Sequence, residues 1–193
     1  MAWTPAFAGV QEEMARRIAL LRAVNVGGRK VVMAELRASA QAAGLADVTT
    51  FIASGNLLFA PFAAPAEEER RLEQVIADAF GIFVPVMVRP GEAWPDYAAA
   101  CPFPDAARAE PNRLIMLLSK QSPDPDAAER LQVRAHGCER IRAAGDALWI
   151  HYAAGVAASK LTPTAIDKAL GSPATGRNHN SVVKLGELAR MAP

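Results

Sequence analysis

The sequence predicts an α+β protein built from two ferredoxin-like (split βαβ) halves with antiparallel sheets, followed by a C-terminal helix. Three observations point there. Apolar residues switch between period 2 and period 3.6 in the order βαββαβ over residues 14–90, and the order returns less completely over residues 112–193. Between them lies the proline-rich stretch "RPGEAWPDYAAACPFPDAARAEPN", the natural seam. A hydrophobic content of 51% in 193 residues is ample for burying a core. The expected organisation is therefore an N-terminal extension at 1–13, a βαββαβ half at 14–90, a linker with a short helix at 91–111, and a second α+β half at 112–193.

The extension has no basic leader region, its apolar stretch is broken by Pro5 and followed by Glu12 and Glu13, and Met14 stands directly before the first strand as an alternative start. Residues 18–24 form a β-branched and apolar strand. Met33, Leu36 and Ala40 then give a helical stripe ended by Gly44, whose lack of a Cβ suits a left-handed cap. The runs "VTTFIA" (48–53) and "NLLFA" (56–60) flank Ser54-Gly55 and read as a hairpin. Leu72, Val75, Ile76, Ala79 and Phe80 make the second helix, Gly81 stops it, and "VPVMV" (84–88) returns to strand. In the second half, "NRLIMLLS" (112–119) is a strand, Asp124 before Pro125 is a plausible helix start, and Leu131 with Ala128 and Ala135 supplies the apolar stripe. A hairpin follows with arms "CERIRA" and "ALWIHY", turning near Ala144-Gly145 and carrying Leu148, Ile150 and Tyr152 on one face. Thr162 caps a helix from Pro163 to Gly171, and a last helix runs from Asn178 or Asn180 to Met191.

With 21 basic and 20 acidic residues no global field favours nucleic acid, and the expected sheets lack the aromatic-basic run of an RNA-recognition motif, offering only Phe51 and Phe59. No uninterrupted apolar stretch approaches the roughly 18 residues of a membrane span. Cys101 and Cys138 have no CxxC spacing, and His136, His151 and His179 are scattered, so neither a metal nor a cofactor is expected; a reducing cytoplasm fits two unpaired thiols. Cys101 falls on the apolar stripe of a short helix, i+7 from Trp94, where a thiol behaves as a small hydrophobe.

The loops hold the candidate chemistry, and each has a plainer alternative. Gly27-Gly28-Arg29-Lys30 is either a nest of backbone N–H groups for an anion or a turn whose glycines supply φ > 0; it lacks the spacing of a phosphate loop. Arg22, on the face of Ile18, Leu20 and Val24, is either an anion hook or an arginine whose head snorkels out. Ser54-Gly55-Asn56 is no G-x-S-x-G elbow and reads as a hairpin turn. Arg177-Asn178-His179-Asn180 stands before an amphipathic helix bearing Val182, Leu185 and Leu188, where an anion gains from the helix dipole and asparagine makes a good cap.

"IALLRAVNVGGRKVVMAELRASAQAAGLADVTTFIASGNLLF" and "ATGRNHNSVVKLGEL" resemble the opening and closing signatures of the bacterial family named for domain of unknown function 1697, over nearly all of residues 14–189. That family's pattern is an Arg-Gly-Ile-Asn-Val-Gly-Gly run after the first strand, a Gln-Ser-Gly-Asn hairpin and an Arg-Asn-Trp-Asn-Thr entry to the last helix. Arg22, Asn25, Gly27, Gly28, Ser54, Gly55, Asn56, Arg177, Asn178 and Asn180 match it, whereas Ala23, Ala53, His179 and Ser181 depart from it. The resemblance implies an α+β fold with ferredoxin-like halves and names no activity. Because the signatures lie in loops, the expectation is a polar cleft between the halves that binds a small anion, a phosphate or carboxylate and possibly a nucleotide. Its residues would be Arg22, Asn25, Gly27, Gly28, Lys30, Ser54, Asn56, Arg177, Asn178 and Asn180. Two alternatives stand beside it: an enzyme acting on such a ligand, and an interaction protein whose loops are structural. RNA binding ranks below all three, and the oligomeric state is left open.

Overall fold

The computed structural model describes residues 16–28 and 30–191, so the expectations for residues 1–13, Met14 and Arg29 fall outside the described residues. The first half consists of β1 (Arg17–Leu21), α1 (Met33–Ala42), β2 (Thr49–Phe51), β3 (Asn56–Phe59), α2 (Pro65–Phe80) and β4 (Val86–Pro90). Its strands pair antiparallel in the order β2-β3-β1-β4. Gly81 closes α2 in the left-handed conformation, as its position suggests. The first strand is shorter than its apolar run: it ends at Leu21, because Ala23 and Asn25 take φ of 51° and 57° and turn the chain out of the sheet. Ile52, at φ 49°, ends β2 in the same way. The last strand of this half is displaced to Val86–Pro90 from the expected 84–88.

Residues 91–111 carry two short helices where one is expected, α3 (Trp94–Ala99) and α4 (Pro104–Ala109). They are no loose tether, since Trp94 is fully buried. The second half comprises β5 (Leu114–Ser119), α5 (Ala127–Arg134), β6 (Glu139–Ala144), β7 (Ala147–Tyr152), α6 (Pro163–Leu170), β8 (Ala174–Asn178) and α7 (His179–Arg190), with the antiparallel order β6-β7-β5-β8. Thus the second half completes the same βαββαβ order through β8, a strand that sequence periodicity does not reveal. Its residues, Ala174-Thr175-Gly176-Arg177-Asn178, include one β-branched side chain and a glycine, and it forms because β5 supplies a pairing edge. One helix start moves, and the other falls on the first of its two expected caps. α5 begins after Asp126 with no side-chain cap, and α7 begins at His179 with Asn178 as cap, its Oδ1 accepting from the Ser181 N–H at 2.9 Å. Thr162 caps α6 as expected, accepting from Ala165 N–H.

Helices α1 and α2 cover one face of the first sheet, packing Leu36, Leu72 and Ile76 on Ala19, Leu57 and Val88. Helices α5 and α6 cover one face of the second, where Leu131, Ile166 and Leu170 meet Leu148, Ile150 and Tyr152. The remaining faces meet each other. Ile18, Leu20 and Leu58 of the first sheet share one core with Leu114, Met116, Leu118 and Trp149 of the second, joined by Trp94 of α3 and by Val182 and Leu185 of α7. Alternation along each strand therefore serves two cores, which is why strand residues on both faces are buried.

Sheet edges are closed by side chains. On β4, Val86 N–H donates to Glu73 Oε1 and Val88 N–H to Glu69 Oε1, both at 2.9 Å, from carboxylates of α2. On β6, Gln132 of α5 accepts from Ile141 N–H and donates to Glu139 O. Glu69→Ala is expected to leave the Val88 N–H buried and unpaired, costing about 1–3 kcal/mol. At about 2–4 °C per kcal/mol for a chain of this size, a melting curve reads that directly. An unchanged melting temperature would show that the edge needs no such closure.

Candidate functional site

Residues 22–28 and 30–32, between β1 and α1, and turn 52–55, between β2 and β3, lie side by side at one end of the first sheet. Asn25 holds them there. Its Nδ2 donates to Val31 O at 3.0 Å and Ala53 O at 2.7 Å, and its Oδ1 accepts from Val31 N–H at 2.9 Å. Leu21 N–H donates to Gly55 O at 2.8 Å, and a Cβ on Gly55 would stand 2.5 Å from Val24 Cγ2, so only glycine brings the turn this close. Asn56, fully buried, donates to Phe51 O and to Ser54 Oγ. Ala23, Asn25 and Ile52 are three of the four non-glycine residues with positive φ among the described residues, so backbone strain gathers at this rim.

Arg177 reaches the same turn from the second half. It sits in β8, directly before the Asn178 cap of α7, and its side chain points inward with 6% of the residue exposed. Nε donates to Asn56 Oδ1, Nη2 to Leu21 O (3.1 Å), Ser54 O (2.9 Å) and Gly55 O (2.8 Å), and Nη1 to Thr175 Oγ1 and Gly176 O. Burial lowers its pKa to about 10, so it remains a cation at neutral pH. Six neutral acceptors surround it, and every nitrogen of its fork is engaged. The fold thus unites Arg177, Ser54 and Asn56, as a strut between the halves.

Asn178 and Asn180 go elsewhere. Both direct Nδ2 at Asn112 Oδ1, at 3.4 and 3.0 Å, while Asn178 caps α7. His179 packs its ring 5.9 Å from that of Trp149, and burial lowers its pKa. Asn178 stands four residues along β8 from Ala174, a span of about 13 Å. The asparagines are therefore at one end of that strand and the α6–β8 junction at the other.

At that junction Arg22 crosses the seam. Its Nη1 lies 2.5 Å from Asp167 Oδ2 of α6, whose Oδ1 accepts the Ala174 N–H, and its own backbone N–H donates to Pro85 O. Beside it opens a hollow of about 520 Å³ lined by Arg22, Ala23, Val26, Gly27, Phe83 and Pro85. Gly27 and Gly28 have φ of +60° and +86°, with open space where their Cβ atoms would be, and Lys30 is exposed nearby in the chain. Phe83 and Val26 are 71% and 58% exposed. Sequence reasoning finds Arg22, the glycines and Lys30 but misses Phe83 and Asp167. The available signal for Phe83 is an aromatic residue beyond Gly81 and outside the helical stripe; for Asp167 there is none.

Ser54, His151 and Cys101 are taken up by the fold. Ser54 Oγ accepts from Asn56, and His151 is held between Glu110 at Nε2 (2.8 Å) and Arg140 at Nδ1 (3.1 Å). Cys101 packs on the inter-sheet core, where burial pushes its thiol pKa up. Among the described residues no group of three or more side chains has the arrangement of a metal site, and no helix is long and apolar enough to cross a membrane.

A family model described as protein of unknown function (DUF1697) matches residues 14–149. A solved structure, the conserved bacterial protein SP0830 from Streptococcus pneumoniae, is similar with a TM-score of 0.69 at 23% identity, over 92% of this chain and 99% of that one; the likeness is one of fold. No curated protein matches.

Proposed function

The chain belongs to the DUF1697 family, whose description assigns no activity, and from the geometry we propose that it binds a small anion, a phosphate or carboxylate, in the hollow beside Arg22. One observation carries this. Arg22 lines an open hollow together with Gly27, and a Cβ at Gly27 or at its neighbour Gly28 would meet nothing within 4 Å. Arg177 has no N–H to spare, and Asn25 and Asn56 are spent on the backbone. The strained residues Ala23, Asn25 and Ile52 add support, because strain of this kind is retained where a loop must hold a set shape. The site is smaller than the cleft anticipated from sequence: it draws on Arg22, Gly27, Gly28 and Lys30, with Asn25 as its brace. For Ser54, Asn56 and Arg177 the interaction-scaffold reading is favoured, on the hydrogen bonds that span the halves. Each half reads as ferredoxin-like from its strand order, and two unpaired thiols, Cys138 exposed, fit the cytoplasm.

A thermal-shift series with inorganic phosphate, AMP and dicarboxylates tests the proposal. A ligand at 100 times its Kd stabilises by about 2.7 kcal/mol, roughly 5–10 °C here. Arg22→Ala is expected to abolish that shift while moving the unliganded melting point by no more than about 2–4 °C, since a partly exposed ion pair contributes about 0–1 kcal/mol. A shift that survives Arg22→Ala, or no shift with any anion at millimolar concentration, would reject the proposal.

A further inference from the structure

We propose that the ligand of this hollow is an anion carried on a flat apolar body, held by Arg22 at the charge and by Phe83, Val26 and Pro85 along the body, and that it takes the position now filled by Asp167. This rests on the reading of the Arg22 hollow as an anion site and names the class of molecule that fits it.

Two features lead there. The first is the apolar wall. Phe83 and Val26 are among the most exposed large hydrophobic residues described, and both line this one hollow beside Pro85. A bare phosphate makes no use of such a wall, whereas an aromatic ring covers Phe83 and gains contact area and ring stacking together. The second is Asp167. Its Oδ2 already lies against Arg22 Nη1, so the fold itself places a carboxylate at the anion position. Both partners are partly exposed, at 20% and 27% of their side chains, so an incoming anion displaces the carboxylate without opening a buried pair. Asp167 keeps a second partner in the Ala174 N–H, which holds its backbone neighbourhood in place after Arg22 changes hands. Asp167 is thus an internal competitor supplied by the second half.

Calorimetric titration of the full chain separates these claims, using phenyl phosphate against inorganic phosphate and benzoate against acetate. The aromatic member of each pair is expected to bind about tenfold more tightly, and Phe83→Ala, at an exposed position that leaves the core untouched, to bring the members within about threefold. Asp167→Asn, which retains an acceptor for the Ala174 N–H, is expected to tighten every anion severalfold. Equal affinities within a pair, or a preference that survives Phe83→Ala, would overturn the ligand class while leaving the anion site standing. Unchanged or weaker binding in Asp167→Asn would overturn the displacement. If none of the four probes binds wild type or Asp167→Asn, the anion site itself fails.

Discussion

Arg177→Ala is expected to lower the stability of the chain by about 3–5 kcal/mol, more than any surface change described above. The substitution leaves Asn56 Oδ1 and Ser54 O without their donors, leaves Leu21 O with only Thr175 Oγ1 and Gly55 O with only the Leu21 N–H, and opens a void at a site with 6% exposure. Each orphaned acceptor costs about 1–3 kcal/mol, which sets the range. Lysine does not repair the loss, because one ammonium cannot reproduce a fork that bonds Asn56 through Nε and three carbonyls through Nη2. Urea unfolding measures it as a lower midpoint at constant slope. A cost below about 1 kcal/mol would mean that water replaces the guanidinium at the seam.

Gly55→Ala is the second large effect. At φ +80° an alanine pays about 1–2 kcal/mol for its left-handed backbone, and its Cβ would lie 2.5 Å from Val24 Cγ2 and 2.8 Å from Leu21 Cβ. Overpacking of that kind adds typically 1–3 kcal/mol, so a total near 3 kcal/mol and a melting point lower by roughly 6–12 °C are expected. Gly27→Ala is the matched control. Its φ is +60° but its Cβ would meet open space, so only the backbone cost of about 1–2 kcal/mol remains. Equal melting points for the two variants would show that the approach of turn 52–55 to β1 is not tight in solution.

Most of the fold is legible in the residues because each element carries its own signal. α2 has its stripe of Leu72, Val75 and Ile76 and its terminal Gly81; α6 has Thr162 and Pro163 at its start. β8 has no such signal: it is a strand by virtue of β5, and its absence from the sequence reading makes Arg177 a ligand of an open cleft instead of a buried strand residue. Strand ends were overrun for a related reason. Nothing in the side chains of Ala23 or Ile52 announces a left-handed backbone, which tertiary packing imposes. At the site, Gly27, Gly28 and Arg22 are readable from type and spacing. The partner Asp167 lies 145 residues from Arg22, and no local pattern encodes a contact at that separation.

The shared core between the sheets imposes an order of events during synthesis. Ile18, Leu20 and Leu58 are made early, yet the surfaces that cover them include Trp149, Val182 and Leu185. About 127 residues separate Leu58 from Leu185, and at roughly 5–20 residues per second the ribosome needs about 6–25 s to deliver the last of that cover. Trp94, Leu114, Met116 and Leu118 arrive sooner, so for much of that interval the apolar face of the nascent first half is only partly covered, long after its own helices have had time to form. A chaperone that engages such faces therefore has its opportunity between the emergence of β3 and that of α7.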